Sequence, residues 1–270
     1  MYVGIDIGGT KTLLSVLNDS GEIVESHKFP TSEAYEDLLK GFSEGLKGFK
    51  NQTFQAGAVG VPGRVDREHG ISLGSPHVQW KDVPLQADCQ KIFGCPFVID
   101  NDANLAALSE AMLHKDSDMV LYFTVSTGIG TGIIRGQQIE PALINSEGGH
   151  LMLPYNGKLT RWEDFASGHA IYQQFGKKAA DITDPAIWKT VAHNLSLGFF
   201  EHIAILQPDL IVIGGSIGTY FDRYGDFLIE ELKQYEIPIV QIPKIVGAER
   251  AEQAVIYGCY DLAKQIYGNG

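Results

Sequence analysis

Residues 2–17 read YVGIDIGGTKTLLSVL, two apolar strand-like runs separated by the turn Gly8-Gly9-Thr10. A third run at 23–29 follows the turn signal Asp19-Ser20-Gly21, so the first thirty residues predict an antiparallel meander. Residues 119–135, MVLYFTVSTGIGTGIIR, repeat the strand, glycine turn and strand about 120 residues further along the chain. The repeat predicts an internally duplicated fold with two similar lobes.

Strand and helix patterns alternate through the rest of the chain. Further strands are predicted at 56–61, 97–100 and 209–213. Helices are predicted at 34–49, from within 101–104 to about 113, and at 161–180, 185–206, 220–235 and 251–267. This order of elements indicates an α/β chain.

The composition is that of an ordinary globular chain with an acidic balance. Hydrophobic residues make up 44%, and 21 Lys and Arg stand against 33 Asp and Glu, a net charge of −12. The negative charge argues against nucleic acid or an anionic membrane as a partner. Because the chain has no long apolar run and its strand pattern starts at Tyr2, we expect neither a transmembrane helix nor a signal peptide.

The three cysteines, Cys89, Cys95 and Cys259, follow no Cys-x-x-Cys spacing. This spacing predicts neither a disulfide framework nor a cysteine zinc site. Together with the lack of a targeting segment, it favours a cytoplasmic protein.

The turn at residues 6–12, DIGGTKT, is suited to phosphate binding. Its glycines lack Cβ atoms and permit the positive φ that turns N–H groups toward an anion, and its threonines and lysine add donors and positive charge. Asp6, at the end of the strand, is placed to hold a hydrated Mg²⁺. The same residues also fit a plain hairpin turn, and they form neither a Walker A loop nor a dinucleotide fingerprint.

Two further glycine turns fit the same chemistry. The segment 127–132, TGIGTG, lies at the equivalent place in the second repeat, so two such loops would grip a nucleotide's phosphates from both sides. Gly214-Gly215-Ser216 follows the strand at 209–213, where ligands collect in α/β sheets. Each turn alone also fits an ordinary tight turn.

Two polar segments are candidates for binding a hydroxyl substrate. Residues 100–104, DNDAN, lie at a strand-to-helix corner, where an Asp suits a general base but also suits a helix cap. Residues 146–150, SEGGH, place Glu147 and His150 around small glycines, an arrangement that would bridge adjacent sugar hydroxyls, and Glu163 would supply another acceptor. A glycine loop with a surface histidine and a helix-start carboxylate would explain the same residues.

The ordered motif set resembles the ROK family of sugar kinases and sugar-responsive repressors. Its motifs are DIGGTK at 6–11, PGxVD at 62–66, NDAN at 101–104, TGIG at 127–130, ExGH at 147–150, ExxASG at 163–168 and IGG at 213–215. The resemblance implies the two-lobed actin-like, ribonuclease-H-like ATPase fold. It implies an N-terminal lobe at 1–115, on which a C-terminal helix within 251–270 packs back, and a C-terminal lobe at 116–250.

The resemblance also implies roles for individual residues. Asp102 would be the catalytic base for a sugar hydroxyl, and Asp6 would hold Mg²⁺ through water. The positions that match the family's sugar-binding residues are Gly63, Asn101, Glu147, His150 and Glu163. Those that match its nucleotide-binding turns are Gly8, Gly9, Thr10, Lys11, Thr12, Thr127, Gly128, Gly214 and Gly215.

The implied reaction transfers the γ-phosphoryl group of ATP to the primary hydroxyl of a hexose. Glucose is favoured because Glu147, His150 and Glu163 are all present. Mannose, fructose, allose and N-acetylated hexosamines remain alternatives.

Two segments depart from the family's pattern. Residues 151–161, LMLPYNGKLTR, are short and lack cysteine where many members carry a zinc loop, so we predict no structural zinc and expect Tyr155 and Trp162 to hold the loop by packing. His77 stands where the family usually has an Asn that contacts sugar. If that loop lines the site, an unusual sugar specificity is expected.

Other interpretations of the resemblance stay open. Polyphosphate could replace ATP as donor, although the low Lys and Arg count argues weakly against the basic groove it needs. A catalytically idle sugar sensor is a further alternative. A repressor would need a helix-turn-helix ahead of the first glycine loop, which begins near residue 6. Homodimers are common in the family, but the sequence does not decide the oligomeric state.

Overall fold

The chain divides into two compact units: unit 1 is Met1–Ser109 with Gln253–Gly270, and unit 2 is Glu110–Glu252. The computed structural model describes residues 1–250 and 252–268, so both ends of the predicted segment 251–270 lie outside the described residues. Within the described ranges, no helix has the length and apolar character that crossing a bilayer requires.

Unit 1 contains a five-stranded sheet whose parallel strands end at one edge. Its elements up to the start of unit 2 are β1 (Tyr2–Ile7), β2 (Lys11–Leu17), β3 (Ile23–Pro30), α1 (Tyr35–Gly48), β4 (Ala56–Val61), β5 (Arg64–Asp66), β6 (Ile71–Gly74), α2 (Leu85–Phe93), β7 (Phe97–Asn101) and α3 (Asp102–Ala111). The order is β3-β2-β1-β4-β7, with β1, β2 and β3 antiparallel as predicted and β1, β4 and β7 parallel. Asp6, Gly63 and Asp102 therefore all lie at the carboxyl ends of parallel strands.

Unit 2 repeats this topology, which confirms the predicted duplication. Its elements are β8 (Met119–Val125), β9 (Ile129–Arg135), β10 (Gln138–Ile139), β11 (Met152–Tyr155), β12 (Lys158–Arg161), α4 (Trp162–Ala166), α5 (Gly168–Phe175), α6 (Pro185–Leu206), β13 (Leu210–Gly214), α7 (Gly215–Gly218), α8 (Phe221–Lys233) and β14 (Lys244–Gly247). The sheet order β10-β9-β8-β13-β14 has an antiparallel meander on one side and two parallel strands on the other.

The last helix, α9 (Ala254–Tyr267), belongs to unit 1 and packs on β1 and β4. The Cys259 thiol donates a hydrogen bond to the carbonyl of Ile5 at 3.5 Å. A side chain on Gly258 would collide with the carbonyl of Leu105, so a glycine is needed for the close approach of α9 to α3. Because these small residues are buried, α9 packs closely on β1, the strand that carries Asp6.

The structure differs from the predicted elements in several places. The pattern at 161–180 predicts one helix, but the chain forms α4 and α5, because Ser167 is extended and its hydroxyl accepts the Ala170 N–H at 3.3 Å as a helix cap. Both short helices bury apolar side chains, so the apolar spacing continues across the break. Also not predicted are α2, α7, β14 and the hairpins β5–β6 and β11–β12, whose short apolar runs carry little periodic signal.

Candidate active site

The first glycine loop, residues 8–10, joins β1 to β2 and is supported from behind by hydroxyl groups. The Gly8 N–H donates to the Lys11 carbonyl at 3.0 Å. The Thr31 hydroxyl donates to the Gly8 carbonyl at 2.7 Å and lies 2.9 Å from the hydroxyl of buried Thr12. Thr12 therefore stabilises the loop from the buried side, and its contact with a nucleotide stays a prediction. The exposed face of the loop consists of Gly9, Thr10 and Lys11.

Asp6 and Asp102 place two carboxylates near each other in unit 1. Burial, and after it the negative charge of Asp102, raise the pKa of Asp6 from its usual 3.8 to about 7, while Lys28 opposes the shift. Two carboxylates this close are poorly accommodated in the ionised form without a cation. The donor set fits Mg²⁺, which proteins often hold with one or two carboxylates while phosphates and water supply the other ligands.

No group of three or more His, Cys, Asp or Glu side chains arranged to hold a metal ion occurs within residues 1–250 and 252–268. A bound phosphate and water could complete the coordination of a cation beside Asp6 and Asp102, as they often do for Mg²⁺.

A buried ion pair holds the corner between β7 and α3. The Nε and Nη2 atoms of Arg67 donate to the two carboxylate oxygens of Asp100 at 2.9 and 2.7 Å. Asp100 also accepts the Asn101 N–H at 2.7 Å and the Asn104 side-chain amide at 2.9 Å. A bidentate pair of this kind fixes geometry, so Arg67 and Asp100 determine where Asp102 begins its helix. Sequence reasoning missed Arg67.

Asn101 both caps α3 and contacts Gly63. Its side-chain oxygen accepts the Ala103 N–H at 2.8 Å, and its side-chain nitrogen donates to the Gly63 carbonyl at 2.9 Å. Gly63 has a φ of +86°, and a side chain there would collide with Ser75. The structure therefore brings Asn101 and Gly63 together, next to Asp102 in the chain.

His77 lies against the first glycine loop. A Cβ atom on Gly9 would lie 3.2 Å from the Cβ of His77, and Ser75 of the same turn abuts Gly63. The Ser75 hydroxyl accepts the His77 N–H at 3.1 Å. The turn at 75–78 thus contacts the glycine loop at one side and a predicted sugar-binding residue at the other.

The second glycine loop, residues 126–128, joins β8 to β9 and packs against the turn at 214–216. The Ser126 N–H donates to the Gly128 carbonyl at 2.9 Å, and the Ser126 hydroxyl accepts the Ser216 N–H at 2.9 Å. Gly215 has a φ of +75°, and a Cβ atom there would lie 2.6 Å from the Val125 carbonyl. The structure therefore brings together, in unit 2, the predicted nucleotide-binding residues Thr127, Gly128, Gly214 and Gly215.

Three predicted sugar-binding residues lie beside this second loop. His150 Nε2 is 3.1 Å from Glu163 Oε1, and Glu163 Oε2 accepts the Ile129 N–H at 3.3 Å. Glu147 precedes the 3₁₀ turn Gly148–His150, and its carbonyl accepts the His150 N–H at 3.0 Å. His150 and Glu163 are thus in contact, and Glu147 lies on the same turn as His150.

The hairpin β11–β12 replaces the cysteine-rich loop that many family members carry. The Tyr155 ring stacks on Phe165 with centroids 4.1 Å apart and planes at 5°. Buried Trp162 donates its indole N–H to the Asn194 carbonyl at 3.0 Å. Aromatic packing holds the segment, as expected from the sequence. The hairpin also ends on Arg161, whose place beside Glu163 sequence reasoning missed.

His202 of α6 is a further residue that the sequence did not indicate. Its Nδ1 donates to the Gly198 carbonyl at 2.7 Å, and its ring lies against Phe123 and Trp162. Burial lowers the pKa of His202, which keeps the imidazole neutral. A side chain on Gly148 would approach His202 Nε2, so the imidazole forms the floor of the turn that carries His150.

Comparisons with known proteins agree with this arrangement. The model of the ROK family matches residues 2–266. A Bacillus subtilis (strain 168) protein provisionally named a fructokinase is 31% identical over 237 residues, which cover 80% of this chain and 77% of that protein. The glucokinase of Streptomyces coelicolor is 24% identical over 98% of both chains.

A solved structure shows the same fold. The ROK family glucokinase of Streptomyces griseus, crystallised with glucose and AMPPNP, gives a TM-score of 0.80 at 22% identity, covering 98% of this chain and 99% of that one. This likeness confirms the predicted actin-like, ribonuclease-H-like ATPase fold.

Proposed function

The chain belongs to the ROK family, and from this premise we propose that it is a kinase that transfers the γ-phosphoryl group of ATP to the primary hydroxyl of a hexose. The hydroxyl oxygen attacks the γ-phosphorus, the bond from that phosphorus to the ADP oxygen breaks, and the hydroxyl proton passes to Asp102. The substrate expected first is glucose, with glucose 6-phosphate as product. The names of a glucokinase and a fructokinase among its relatives support a hexose as acceptor.

The observation that carries this proposal is the electrostatic interaction between two carboxylates of unit 1, Asp102 and Asp6, of which Asp6 lies just before the first glycine loop. Asp102 lies in the first turn of α3, and a carboxylate is a suitable group for a general base. Burial is the larger cause of the raised pKa of Asp6, and the negative charge of Asp102 adds to it. When bound, Mg²⁺ would neutralise charge on the phosphoryl oxygens.

The glycine loops position the phosphates of the donor in this proposal. Lys11 adds a positive charge on the exposed face of the first loop, and the glycine at 215 lets the turn at 214–216 pack closely against the second loop. Phosphoryl transfer is accelerated mainly by positioning and by electrostatic stabilisation of the transferring group. The backbone N–H groups of both loops suit these two tasks.

In unit 2, the carboxylate and imidazole groups of Glu147, His150 and Glu163 would bind adjacent hydroxyls of the acceptor sugar. Asn101 and Gly63 of unit 1 stay predicted sugar-binding residues. His77 lies against Gly9, on the turn whose Ser75 abuts Gly63, and it takes the place of the family's usual Asn, so it is the residue expected to alter the preference among hexoses. If the protein phosphorylates fructose or an N-acetylated hexosamine instead of glucose, the turn at 75–78 is the first place to test by substitution.

The test is ADP release from MgATP by the purified protein, with and without glucose, fructose, mannose, allose, N-acetylglucosamine or N-acetylmannosamine. We expect release that depends on sugar, with the largest rate for glucose, and a 6-phosphate product by NMR. If sugar phosphate forms with polyphosphate but not with ATP, polyphosphate replaces ATP as the proposed phosphoryl donor. If neither donor supports turnover while calorimetry detects sugar binding, the kinase assignment is wrong and the protein is a sugar sensor.

A further inference from the structure

One carboxylate in unit 2 contacts both the predicted sugar side and the predicted nucleotide side of the site. Glu163 Oε1 lies 3.1 Å from His150 Nε2, and Oε2 accepts the Ile129 N–H at 3.3 Å. A Cβ atom on Gly128 would lie 2.7 Å from Oε2, so the glycine loop lies directly against the carboxylate. The two oxygens of a single rigid group thus serve two different binding elements.

We propose that Glu163 couples sugar binding to nucleotide binding within unit 2, and that Arg161 is the positioning residue that orients its carboxylate. The inference rests on the proposed function, because it assumes that the 147–150 turn binds sugar and that the second glycine loop binds nucleotide. It adds a thermodynamic link between the two ligands that neither loop would produce alone.

Hydrogen bonds on both sides of Glu163 hold its backbone in place. Trp162, next to it, is buried, donates its indole N–H to the Asn194 carbonyl at 3.0 Å, and donates its backbone N–H to the Leu151 carbonyl at 2.7 Å. The Ser167 N–H donates to the Glu163 carbonyl at 3.2 Å on the other side. Any new partner for the carboxylate must therefore be met by rotation of the side chain.

Arg161 is held so that one nitrogen faces Glu163. Its Nε and Nη2 donate to the two oxygens of Asp164 at 3.1 and 3.0 Å, a bidentate arrangement that fixes the guanidinium plane. The remaining nitrogen, Nη1, lies 3.7 Å from Glu163 Oε1. The hairpin β11–β12 delivers Arg161 to this place, since Arg161 is the last residue of β12.

Coupling follows from the planarity of the carboxylate. A sugar hydroxyl that donates to Oε1 competes with His150 and Arg161, and the resulting rotation changes the contact of Oε2 with the Ile129 N–H. A phosphate bound by the second glycine loop would also change the contact between Oε2 and the Ile129 N–H. By thermodynamic reciprocity, each ligand then changes the affinity of the other by the same factor.

The experiment measures that factor by isothermal titration calorimetry. The hexose that gives the largest ADP release in the panel is titrated into the full-length protein with and without saturating magnesium AMPPNP. In the wild type we expect the nucleotide to change the hexose Kd by about 5-fold or more, the lower end of measured allosteric couplings. In Arg161→Met we expect both ligands to bind while the factor falls toward one.

Two variants separate positioning from a structural effect. Arg161→Lys keeps the charge without the bidentate fork, so we expect it to restore only part of the coupling. Lys158→Met removes an exposed cation at the other end of β12 and should leave the factor unchanged. Thermal melting by circular dichroism should be similar for all variants, because Arg161 is about half exposed.

The outcomes distinguish this inference from the proposed function. Independent binding of hexose and nucleotide in the wild type would overturn the coupling and leave the kinase assignment standing. If magnesium AMPPNP changes the hexose Kd of Arg161→Met by the same factor as in the wild type, the proposed role of Arg161 is wrong. If neither ligand binds the wild type, the proposed function is wrong and the inference is wrong with it.

Discussion

The two glycine loops occupy equivalent places in units of the same topology, yet different chemistry supports them. The first rests on neutral hydroxyls, with Thr31 donating to the Gly8 carbonyl and contacting Thr12. The second lies against a carboxylate, that of Glu163, at Gly128, and its own Ser126 hydroxyl accepts the Ser216 N–H. The duplicated fold determines where each loop lies, whereas the neighbouring side chains determine which groups the loop can bind.

The same contrast holds at the ends of the first strands. Asp6 of β1 pairs in register with Gly60 of β4, and Thr124 of β8 pairs with Gly214 of β13. Unit 2 therefore has a neutral threonine where unit 1 has a carboxylate. In the proposed reaction, this difference favours unit 1 as the place of the metal ion, because a carboxylate is the better ligand for Mg²⁺.

Asp102→Asn should have the largest effect, because it removes the proposed base and keeps the side-chain shape. We expect kcat to fall by about 10³-fold, within the range typical of general base catalysis. The measurement is ADP release with the best hexose, combined with thermal melting. Asp37→Asn, which changes an exposed carboxylate of the same unit that accepts from Lys40, serves as the control and should keep its turnover. Near-normal turnover by folded Asp102→Asn would refute the assignment.

Glycine-to-alanine substitutions in the turns of the two units should differ in the size of their effect on stability and on the KM for ATP. Gly215→Ala forces a side chain into a positive φ against the Val125 carbonyl, a strain of about 1–3 kcal/mol. We expect a lower melting temperature and a KM for ATP raised by about 10-fold, equivalent to about 1.4 kcal/mol. Gly8→Ala meets only the Lys11 carbonyl at 3.1 Å and should change both quantities less. Equal effects would show that the two turns are equally tolerant.

The pH dependence of stability should single out Asp6. Its pKa is about 7 in the folded chain and near 3.8 when unfolded, so the folded state binds the extra proton between these values. The stabilisation from this proton is complete below about pH 4 and is lost as the pH rises through about 7. Urea unfolding without Mg²⁺ at pH 5 and pH 8 should show a larger decrease for the wild type than for Asp6→Asn. Parallel curves for the two proteins would contradict the shifted pKa.

Local patterns were enough to predict the framework of each unit. The meander β1–β2–β3, the strand β8 and the long helix α6 follow from alternation, turn residues and helical spacing, which depend only on near neighbours in the chain. Short elements such as the β11–β12 hairpin were not predicted. The glycine turns and the polar corner at 100–104 were found for the same reason, since their chemistry is carried by consecutive residues.

Contacts between distant residues were decided only by the tertiary structure. Thr31 contacts Gly8 from the end of the meander, Arg67 contacts Asp100 from just after β5, and Arg161 lies near Glu163 because a hairpin ends there. Thr31, Arg67 and Arg161 lie outside the motifs, because each acts through geometry that folding creates. The sequence by itself thus determined the topology and the candidate reactive groups. The tertiary structure decided which neighbours hold those groups and shift their pKa values, because hydrogen bonds and charges act through distance in space.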